Sequence, residues 1–466
     1  MLRIFKQYYP IRNIFFVIGE FILISTSVFF AAWIVFDNNN NTILLCPWIC
    51  LKVFLITITY QICFYYNDLY DLKITDSYSE LSIRLLQSIG AASIFLSGVY
   101  FAFPQVIIGR NIFLVSVIFA PLLIILWRFC YAIVLNKGLF NQKIILLGSS
   151  ELARDIIKEI DEKKDSGYTI SVIIEEDGSN TLSSCIDNSK IICKKDYEGL
   201  YDIAKKFNIK KVIVAIKQRR GAFPARELLD CRVRGIDIIK GNTFYEMLTG
   251  KLIVEQINPD WLIFSDGFRI PKRVRILKRM IDLMVSLTML IVLMPLILLV
   301  SVLIRIDSKG PVFFPQERVG EKRKIFWIFK FRSMIEDAEK HTGPIWALDH
   351  DDRITRVGRI IRKLRIDEIP QLWNVLKGEM SFVGPRPERE FFVKELEEKI
   401  PYYGERFIVK PGITGWAQVS YGYGASVDDA IEKLNYDLFY TKNFSIFMDL
   451  MIIMRTVKIV LFGKGR

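Results

Sequence analysis

The chain has 466 residues, of which 52% are hydrophobic and 24% are charged, and its formal net charge is +13. Its length allows about three domains. The hydrophobic content excludes a disordered chain, and seven cysteines in this length exclude a disulfide-rich secreted domain. We therefore expect a reducing cytosolic and membrane setting. With only two histidines, His341 and His350, a structural zinc site is not expected.

Four apolar segments occupy the first 140 residues. Each has about 20 residues, which is enough to cross a hydrocarbon core of about 30 Å, and the alternative is a soluble helical core. The basic residues around the loops favour a cytoplasmic N-terminus and a return to the cytoplasm after the fourth segment. Residues 1–140 are therefore predicted to form four transmembrane helices. The segments are Ile14–Phe36, Pro47–Tyr66, Leu85–Phe103 and Ile112–Leu135.

Residues 141–250 have the pattern of alternating strands and helices that is typical of a parallel α/β sheet. The turn that starts at Gly148 resembles a dinucleotide-binding turn, but Ser150 and Ala153 replace its second and third glycines. Glu175 and Glu176 are candidates for binding a ribose. The pattern predicts a degenerate Rossmann-like domain, and both a nucleotide-binding role and a structural or regulatory role remain open. Residues 251–271 are predicted to be a linker.

The apolar run Leu283–Ile304 is long enough to cross a membrane, but basic residues flank it on both sides. Basic flanks favour the cytoplasmic side, so both ends are predicted to lie there. Pro295, near the midpoint, removes one helical hydrogen bond. These observations predict a re-entrant, kinked helix over 283–304, and the alternative is an ordinary fifth span.

The segment Arg353–Arg365 combines apolar residues at helical spacing with arginines, a pattern that suits either an anionic membrane surface or a solvated basic face. Asp367 and Glu368 follow it, and Pro370 is placed to begin a new helix. Two carboxylates at such a position can take separate roles in phosphoryl transfer: one attacks phosphorus while the other holds Mg²⁺. Arg362 and Arg365 are predicted to keep both carboxylates ionised.

Further motifs elsewhere in the chain supply cations and glycine-containing loops whose backbone can come close to a ligand. Gly384-Pro385-Arg386-Pro387 is a rigid turn that presents one arginine to a phosphate or nucleotide. Lys330 and Arg332 lie in one short motif, and Arg406 precedes the glycine-punctuated loop that starts at Lys410.

Residues 272–466 resemble the bacterial sugar transferase family, the monotopic polyprenyl-phosphate phosphoglycosyl transferases. The resemblance rests on Lys278-Arg279 with Asp282 and on the motifs that start at Lys330, Arg353, Asp367, Lys377, Gly384, Lys410 and Lys433. The whole chain is similar to the large members that initiate exopolysaccharide or O-antigen repeats. The sequence departs from the family at Met294-Pro295 and at Asp351-Asp352.

The resemblance implies that residues 272–466 form a mainly helical monotopic catalytic domain. Asp367 would be the nucleophile, and Glu368 would be the Mg²⁺ ligand. The remaining implied site residues bind substrate: Lys330, Arg332, Arg362, Pro385, Arg386, Pro387, Arg406 and Asp437.

The implied reaction transfers a sugar 1-phosphate from a UDP-sugar to undecaprenyl phosphate, giving undecaprenyl-diphospho-sugar and UMP. The implied location is the cytoplasmic face of the bacterial inner membrane. A homodimer is expected, and a nucleic-acid partner is not. The sequence leaves the sugar and the polysaccharide open. The rivals are a membrane nucleotide-sugar dehydratase or epimerase, which would need an intact glycine-rich turn, and a non-enzymatic scaffold.

Overall fold

The computed structural model describes residues 2–4, 7–9, 11–37, 48–70, 78–136, 141–163, 166–175, 191–193, 197–216, 223–256, 268, 270–335, 353–422, 424 and 426–462. Two compact units share these residues, and the main boundary between them lies between Lys240 and Gly241. Two short strands near the N-terminus, β1 (Leu2–Ile4) and β2 (Gln7–Tyr9), pair with each other.

Four long apolar helices lie at the positions of the four predicted segments. Each is long and apolar enough to cross a membrane, by length and composition. Inside their bundle, Arg128 pairs with Glu20 at 2.7 Å and donates to the Leu69 carbonyl, so both charges are compensated. The helices are α1 (Ile11–Asp37), α2 (Ile49–Tyr66), α3 (Tyr78–Ala102) and α4 (Arg110–Asn136).

A five-stranded parallel sheet in the order β5-β4-β3-β6-β7 completes the N-terminal unit, which confirms the predicted parallel α/β fold. Alternate strand residues, such as Leu147 and Ile174, pack in one core with α6 and α7. The strands are β3 (Gln142–Leu147), β4 (Tyr168–Glu175), β5 (Ile191–Cys193), β6 (Lys211–Val214) and β7 (Asp237–Lys240). The helices are α5 (Glu151–Glu162), α6 (Leu200–Lys206) and α7 (Ala225–Val233).

The C-terminal unit begins at helix α8 (Gly241–Thr249), earlier than the predicted domain boundary at 250. Glu246 of α8 accepts hydrogen bonds from Lys442 at 2.6 Å and from Asn443 at 3.1 Å. Leu252, in the predicted linker, donates its backbone N–H to the Asn435 carbonyl. Residues 241–256 are therefore part of the folded C-terminal unit, since long-range polar contacts, which spacing does not reveal, hold them there.

Helix α9 (Lys272–Asp307) is a continuous helix of 36 residues with Pro295 inside it. The residues from Leu287 to Leu299 include none that is buried, whereas Asp282 and Ser286 before them and Val300 and Ile304 after them are buried. Both ends of α9 therefore pack against the folded C-terminal unit, whereas its apolar middle is largely exposed.

The other described residues of the C-terminal unit form a β-hairpin, a two-stranded parallel sheet and six α-helices. The hairpin pairs β8 (Phe313–Val319) with β9 (Ile325–Phe331), and β10 (Ser381–Val383) runs parallel to β11 (Gly412–Thr414). The main core lies between β10 and the last helices, around Leu438 and Met448. The helices are α10 (Arg356–Lys363), α11 (Gln371–Lys377), α12 (Glu390–Lys399), α13 (Trp416–Ser420), α14 (Val427–Lys442) and α15 (Ile446–Phe462).

Candidate active site

The predicted carboxylate pair, Asp367 and Glu368, lies on the 3₁₀ turn Ile366–Glu368 between α10 and α11. Arg365, just before this turn, has a φ of 57°, so the chain turns sharply where α10 ends. Pro370 has helical dihedral angles but precedes α11, one residue from its predicted place as the first helical residue. Because α11 has only seven residues, we attribute the electrostatics of the pair to nearby side chains rather than to a helix dipole.

The Gly384–Pro387 turn brings Arg386 to the carboxylate pair. Its Nη2 lies 2.9 Å from Glu368 Oε1, which makes a charge-assisted hydrogen bond. Gly384 is required here because a Cβ at this position would lie 2.2 Å from the Lys410 carbonyl oxygen. Gly412 donates its N–H to the Pro385 carbonyl at 2.9 Å. The two glycine-containing loops therefore cross in contact and fix the direction of Arg386.

The two carboxylates differ in their affinity for protons. Burial alone would raise the pKa of Glu368, but the positive charges of Arg386, Lys330 and Arg365 outweigh it and lower that pKa well below its usual range. Burial and the negative charge of Glu368 raise the pKa of Asp367 to about 6. The prediction that neighbouring arginines keep both groups ionised therefore applies to Glu368, whereas Asp367 binds a proton in mildly acidic solution.

A pocket beside the pair is lined by cations, two of which were predicted. Burial lowers the pKa of Lys330 to about 8 although Glu368 attracts its proton, and burial lowers the pKa of Arg318 to about 10. Arg318 also donates to the Pro387 carbonyl at 3.0 Å. Several cations around one pocket favour a polyanionic ligand such as a diphosphate. The lining residues are Arg318, Ile328, Lys330, Gln371, Arg386, Pro387 and Gly412.

Arg318 is not among the residues predicted from the sequence, although a pattern marks it. It lies opposite Phe326 in the hairpin, and Lys330 lies opposite Phe314. Because side chains two residues apart on a strand share a face, the buried residues Phe326 and Ile328 lie on the same face as Lys330. Arg318, directly opposite Phe326, points to that face as well. The period of two would have found this residue once the hairpin register was known.

Arg406 and Asp437 lie behind Arg386 rather than beside the carboxylate pair. Both are buried, and Arg406 Nη2 lies 2.8 Å from Asp437 Oδ2 and 3.0 Å from the Arg386 carbonyl oxygen. Arg406 Nη1 also donates to the Tyr403 hydroxyl. Burial raises the pKa of Asp437 to about 6 despite the attraction of Arg406. These contacts indicate that the pair supports the backbone of Arg386, and its predicted contact with substrate stays a prediction.

Arg332, which is predicted to bind substrate, contacts the backbone near the end of α9. Its guanidinium donates to the carbonyl oxygens of Ser308 and Lys309, both at 2.7 Å, just beyond the end of α9. These contacts satisfy carbonyls that the end of a helix leaves without partners. Arg362, by contrast, is close enough to Asp367 for its positive charge to lower the pKa of that carboxyl group.

The carboxylate pair fits the way in which proteins bind Mg²⁺ together with a phosphorylated substrate. Mg²⁺ takes one or two protein carboxylates and completes its octahedral shell with water and phosphate oxygens. Glu368 stays ionised at neutral pH because of its arginine partners, and Asp367 adjoins it. Among the described residues no group of three or more His, Cys, Asp or Glu side chains is placed to hold a metal. The donor set therefore fits a metal whose other ligands come from substrate and water.

The pKa of Asp367 gives a prediction about pH. If Asp367 is the nucleophile, only its ionised form reacts, so kcat/KM should fall about tenfold for each pH unit below about 6. Arg362→Ala removes a charge that lowers this pKa, so the midpoint should move to higher pH. The measurement is the pH–rate profile of both chains. A flat wild-type profile between pH 5 and 8 would contradict the assignment.

In the predicted nucleotide-binding turn of the N-terminal unit, the Ser150 side chain is hydrogen-bonded within the protein. The Ser150 hydroxyl donates to the Ala215 carbonyl at 2.6 Å and accepts from the Ala153 N–H at 3.3 Å. Glu175 is buried at the end of β4, and Glu176 lies outside the described residues. A serine that caps α5 and bridges to β6 favours the structural or regulatory role that the sequence left open.

Comparison with known families divides the chain much as the structure does. Residues 273–463 match the family described as "Bacterial sugar transferase". Residues 66–239 match a family described as "CoA-binding domain".

Three relatives illustrate the similarity. The chain is 43% identical over 241 residues to a UDP-N-acetylgalactosamine-undecaprenyl-phosphate N-acetylgalactosaminephosphotransferase of Aeromonas hydrophila, covering 52% of this chain and 56% of the relative. It is 29% identical over 384 residues to an undecaprenyl-phosphate galactose phosphotransferase of Salmonella typhimurium, covering 78% of each. It is 43% identical over 197 residues to the exopolysaccharide production protein PSS of Rhizobium leguminosarum bv. phaseoli, covering 41% of this chain and 98% of the relative.

The matched region thus spans about half of the Aeromonas protein but nearly all of the Rhizobium protein. The chain belongs to the bacterial sugar transferase family.

Proposed function

We propose that this protein transfers a sugar 1-phosphate from a UDP-sugar to undecaprenyl phosphate, releasing UMP, as the first membrane step of exopolysaccharide or O-antigen assembly. One observation carries the proposal: two adjacent carboxylates with opposite pKa shifts, one of them buried, adjoin a cationic pocket through the contact of Arg386 with Glu368. Perturbed acids beside cations suit covalent phosphoryl transfer. The names of the relatives support the substrate class.

In the proposed first step, a carboxylate oxygen of Asp367 attacks the β-phosphorus of the UDP-sugar. A bond from oxygen to the β-phosphorus forms, the bond from this phosphorus to the bridging oxygen breaks, and UMP leaves with the bridging oxygen and its electron pair. Arg386 and Lys330 offset the charge that develops on the phosphoryl oxygens. The product of this step is an acyl phosphate that carries the sugar.

In the second step, a phosphate oxygen of the lipid attacks the same phosphorus. The bond between phosphorus and Asp367 breaks, so the carboxylate is restored and undecaprenyl-diphospho-sugar forms. Glu368, held ionised by Arg386, would bind Mg²⁺, which supplies charge neutralisation on the phosphates when it is bound. Arg406 and Asp437 hold the Arg386 backbone in position throughout.

The test is the release of UMP by the purified chain, supplied with undecaprenyl phosphate, Mg²⁺ and a panel of UDP-sugars. We expect UMP release with one or a few of these sugars. A dehydratase or epimerase would change the UDP-sugar without forming UMP, and a scaffold would leave it unchanged. Failure of the whole panel in folded protein would contradict the proposal. The homodimer that the resemblance implies stays a prediction.

We further propose that α9 is re-entrant and that the catalytic unit lies on the cytoplasmic face of the inner membrane. Lys278, near the start of α9, pairs with Asp449 at 2.6 Å, and Asp307, at its end, accepts the Val357 N–H at 2.9 Å. Both partners belong to the C-terminal unit. A helix that crosses the membrane separates its ends by the bilayer, which is difficult to reconcile with both contacts.

Cysteine labelling tests this topology in a chain that lacks native cysteines. Because Lys278 is buried and paired, the exposed Lys272 is the better probe, together with the exposed Lys309. We expect both positions to react from the cytoplasm only. Pro295→Leu restores one helical hydrogen bond, so it should expose a fraction of position 309 outside and lower activity in proportion. Periplasmic labelling of position 309 in the Pro295 parent would refute the re-entrant arrangement.

A further inference from the structure

The proposed active site is assembled from two pieces of chain. Asp367 and Glu368 precede α11, whereas Arg386 follows β10, and the contact from Arg386 Nη2 to Glu368 Oε1 joins the two pieces. Between α11 and β10 the chain passes through Gly378, whose φ is 89°. The N–H groups of Gly378 and Glu379 donate to the Asn374 carbonyl, both at 3.1 Å, so the connection is itself hydrogen-bonded. Contacts from outside the connection also bear on the separation between Glu368 and Arg386.

The first half of α9 contacts both pieces. Arg279 donates from both terminal nitrogens of its guanidinium to the carbonyl oxygens of Val375 and Leu376, the latter at 2.8 Å. These carbonyls lie in the last turn of α11, where the Gly378 N–H also reaches Val375 at 3.0 Å. The planar guanidinium therefore binds the C-terminal end of α11, and the carboxylate pair precedes the N-terminal end of the same helix.

Asp282 makes the matching contact to β10. Its Oδ1 accepts from the Phe382 N–H at 3.0 Å and from the Ser381 hydroxyl at 3.1 Å, and its side chain is buried. The Ser381 N–H points the other way, to the Pro411 carbonyl beside β11. Asp282 thus occupies the free edge of the strand that leads into the Arg386 turn.

Arg279 and Asp282 are three residues apart, so they lie on one face of the same helix. One turn before Asp282, Lys278 pairs with Asp449, and Asp449 also accepts from the Tyr440 hydroxyl at 2.7 Å. This buried pair fixes the helix to α14 and α15. One helix therefore contacts both α11 and β10 and fixes the distance between them.

We propose that Arg279 and Asp282 are positioning residues, which hold the carboxylate pair and Arg386 in register by fixing α11 and β10 to one face of α9. This inference rests on the proposed function for its activity readout, but not for its structural readout. It also links the membrane to the site, because the apolar continuation of the same helix forms the proposed membrane insertion.

The activity test compares four variants of the full chain in nanodiscs by UMP release. Arg279→Ala and Asp282→Ala should each lower kcat at least about tenfold, while Asp282→Asn, which keeps an oxygen to accept from Phe382, should stay within about threefold of wild type. Leu396→Ala is the matched control, because it loses core packing in α12 without touching either contact. At an equal loss of melting temperature it should keep its kcat.

Two further results separate positioning from stability. In an Arg386→Lys background, the loss caused by Asp282→Ala should shrink to less than about twofold, because the contact that it aligns has already been altered. A structure of Asp282→Ala should show the separation between Glu368 Oε1 and the Arg386 guanidinium beyond hydrogen-bonding distance.

An unchanged separation, an additive loss in the Arg386→Lys background, or an equal kcat loss in Leu396→Ala would overturn the proposal. If wild type releases no UMP from any UDP-sugar, the proposed function fails, and the measured separation still decides whether Arg279 and Asp282 set the register.

Discussion

Asp367→Asn is expected to lower the rate of UMP release by about 10⁴-fold or more while leaving the protein folded. An amide cannot form the acyl phosphate, and the loss of a covalent nucleophile removes the reaction path rather than one contact. The measurement is single-turnover UMP release, which isolates the first chemical step. Near-wild-type release by folded Asp367→Asn would exclude Asp367 as the nucleophile.

The same substitution should make the protein more stable at neutral pH, because the folded state raises the pKa of Asp367 from 3.8 to about 6. The folded protein binds this proton more tightly than the unfolded chain, so the group lowers stability as the pH rises from about 4 to 6. At pH 7.5, Asp367→Asn should therefore raise the free energy of unfolding by a value on the order of 1 kcal/mol, and the melting temperature with it. The gain should vanish below about pH 4.

Glu368→Gln is the matched control and should change stability in the opposite direction. The ionised Glu368 stabilises the fold through Arg386 and Lys330, and its lowered pKa means that this stabilisation is present above about pH 4.5. Its loss leaves buried cations without a counter-charge, so both activity and melting temperature should fall. Excess Mg²⁺ should restore activity only weakly. Equal effects of the two substitutions on melting temperature would contradict the different electrostatic roles of the two carboxylates.

The parts of the fold that follow from local pattern were predictable. The length of the apolar segments and the spacing of apolar residues in the strands and helices of the sheet domain can be read directly from the sequence. The strand Gln142–Leu147 and the helix Glu151–Glu162 are examples. The carboxylate pair and the Arg386 turn stand in short contiguous motifs. Such features need no knowledge of which distant residues meet.

The contacts that the sequence did not reveal are long-range. Arg332 stands two residues after Lys330, a spacing that would put both on one face of a strand, but β9 ends at Phe331 and Arg332 binds carbonyl oxygens beyond the end of α9. Arg406 donates to the Arg386 carbonyl, and Asp437, 31 residues away in sequence, holds its guanidinium. No spacing rule specifies such a partner.

The domain boundary leads to the second prediction, on the independence of the catalytic unit. A chain of residues 241–466 should fold in detergent and keep transferase activity, whereas residues 267–466, the boundary that the motifs alone suggest, should aggregate or lose most activity. The longer piece keeps the unit that begins at Gly241. The measurements are monodispersity, melting temperature and UMP release, with the full chain as reference.

The physical reason lies in what residues 241–256 contribute. Without Glu246, the amine of Lys442 and the amide of Asn443 lose their shared partner. Removing Leu252 and Val254 also opens the core around Leu438 and Trp416, where loss of each large side chain typically costs 2–5 kcal/mol, by an order-of-magnitude estimate. Glu246→Gln in the 241–466 chain separates the charge from the packing, and it should cost less than the truncation. Full activity of 267–466 would show that α8 is dispensable, whereas inactivity of a well-folded 241–466 would place part of the active site in the N-terminal unit.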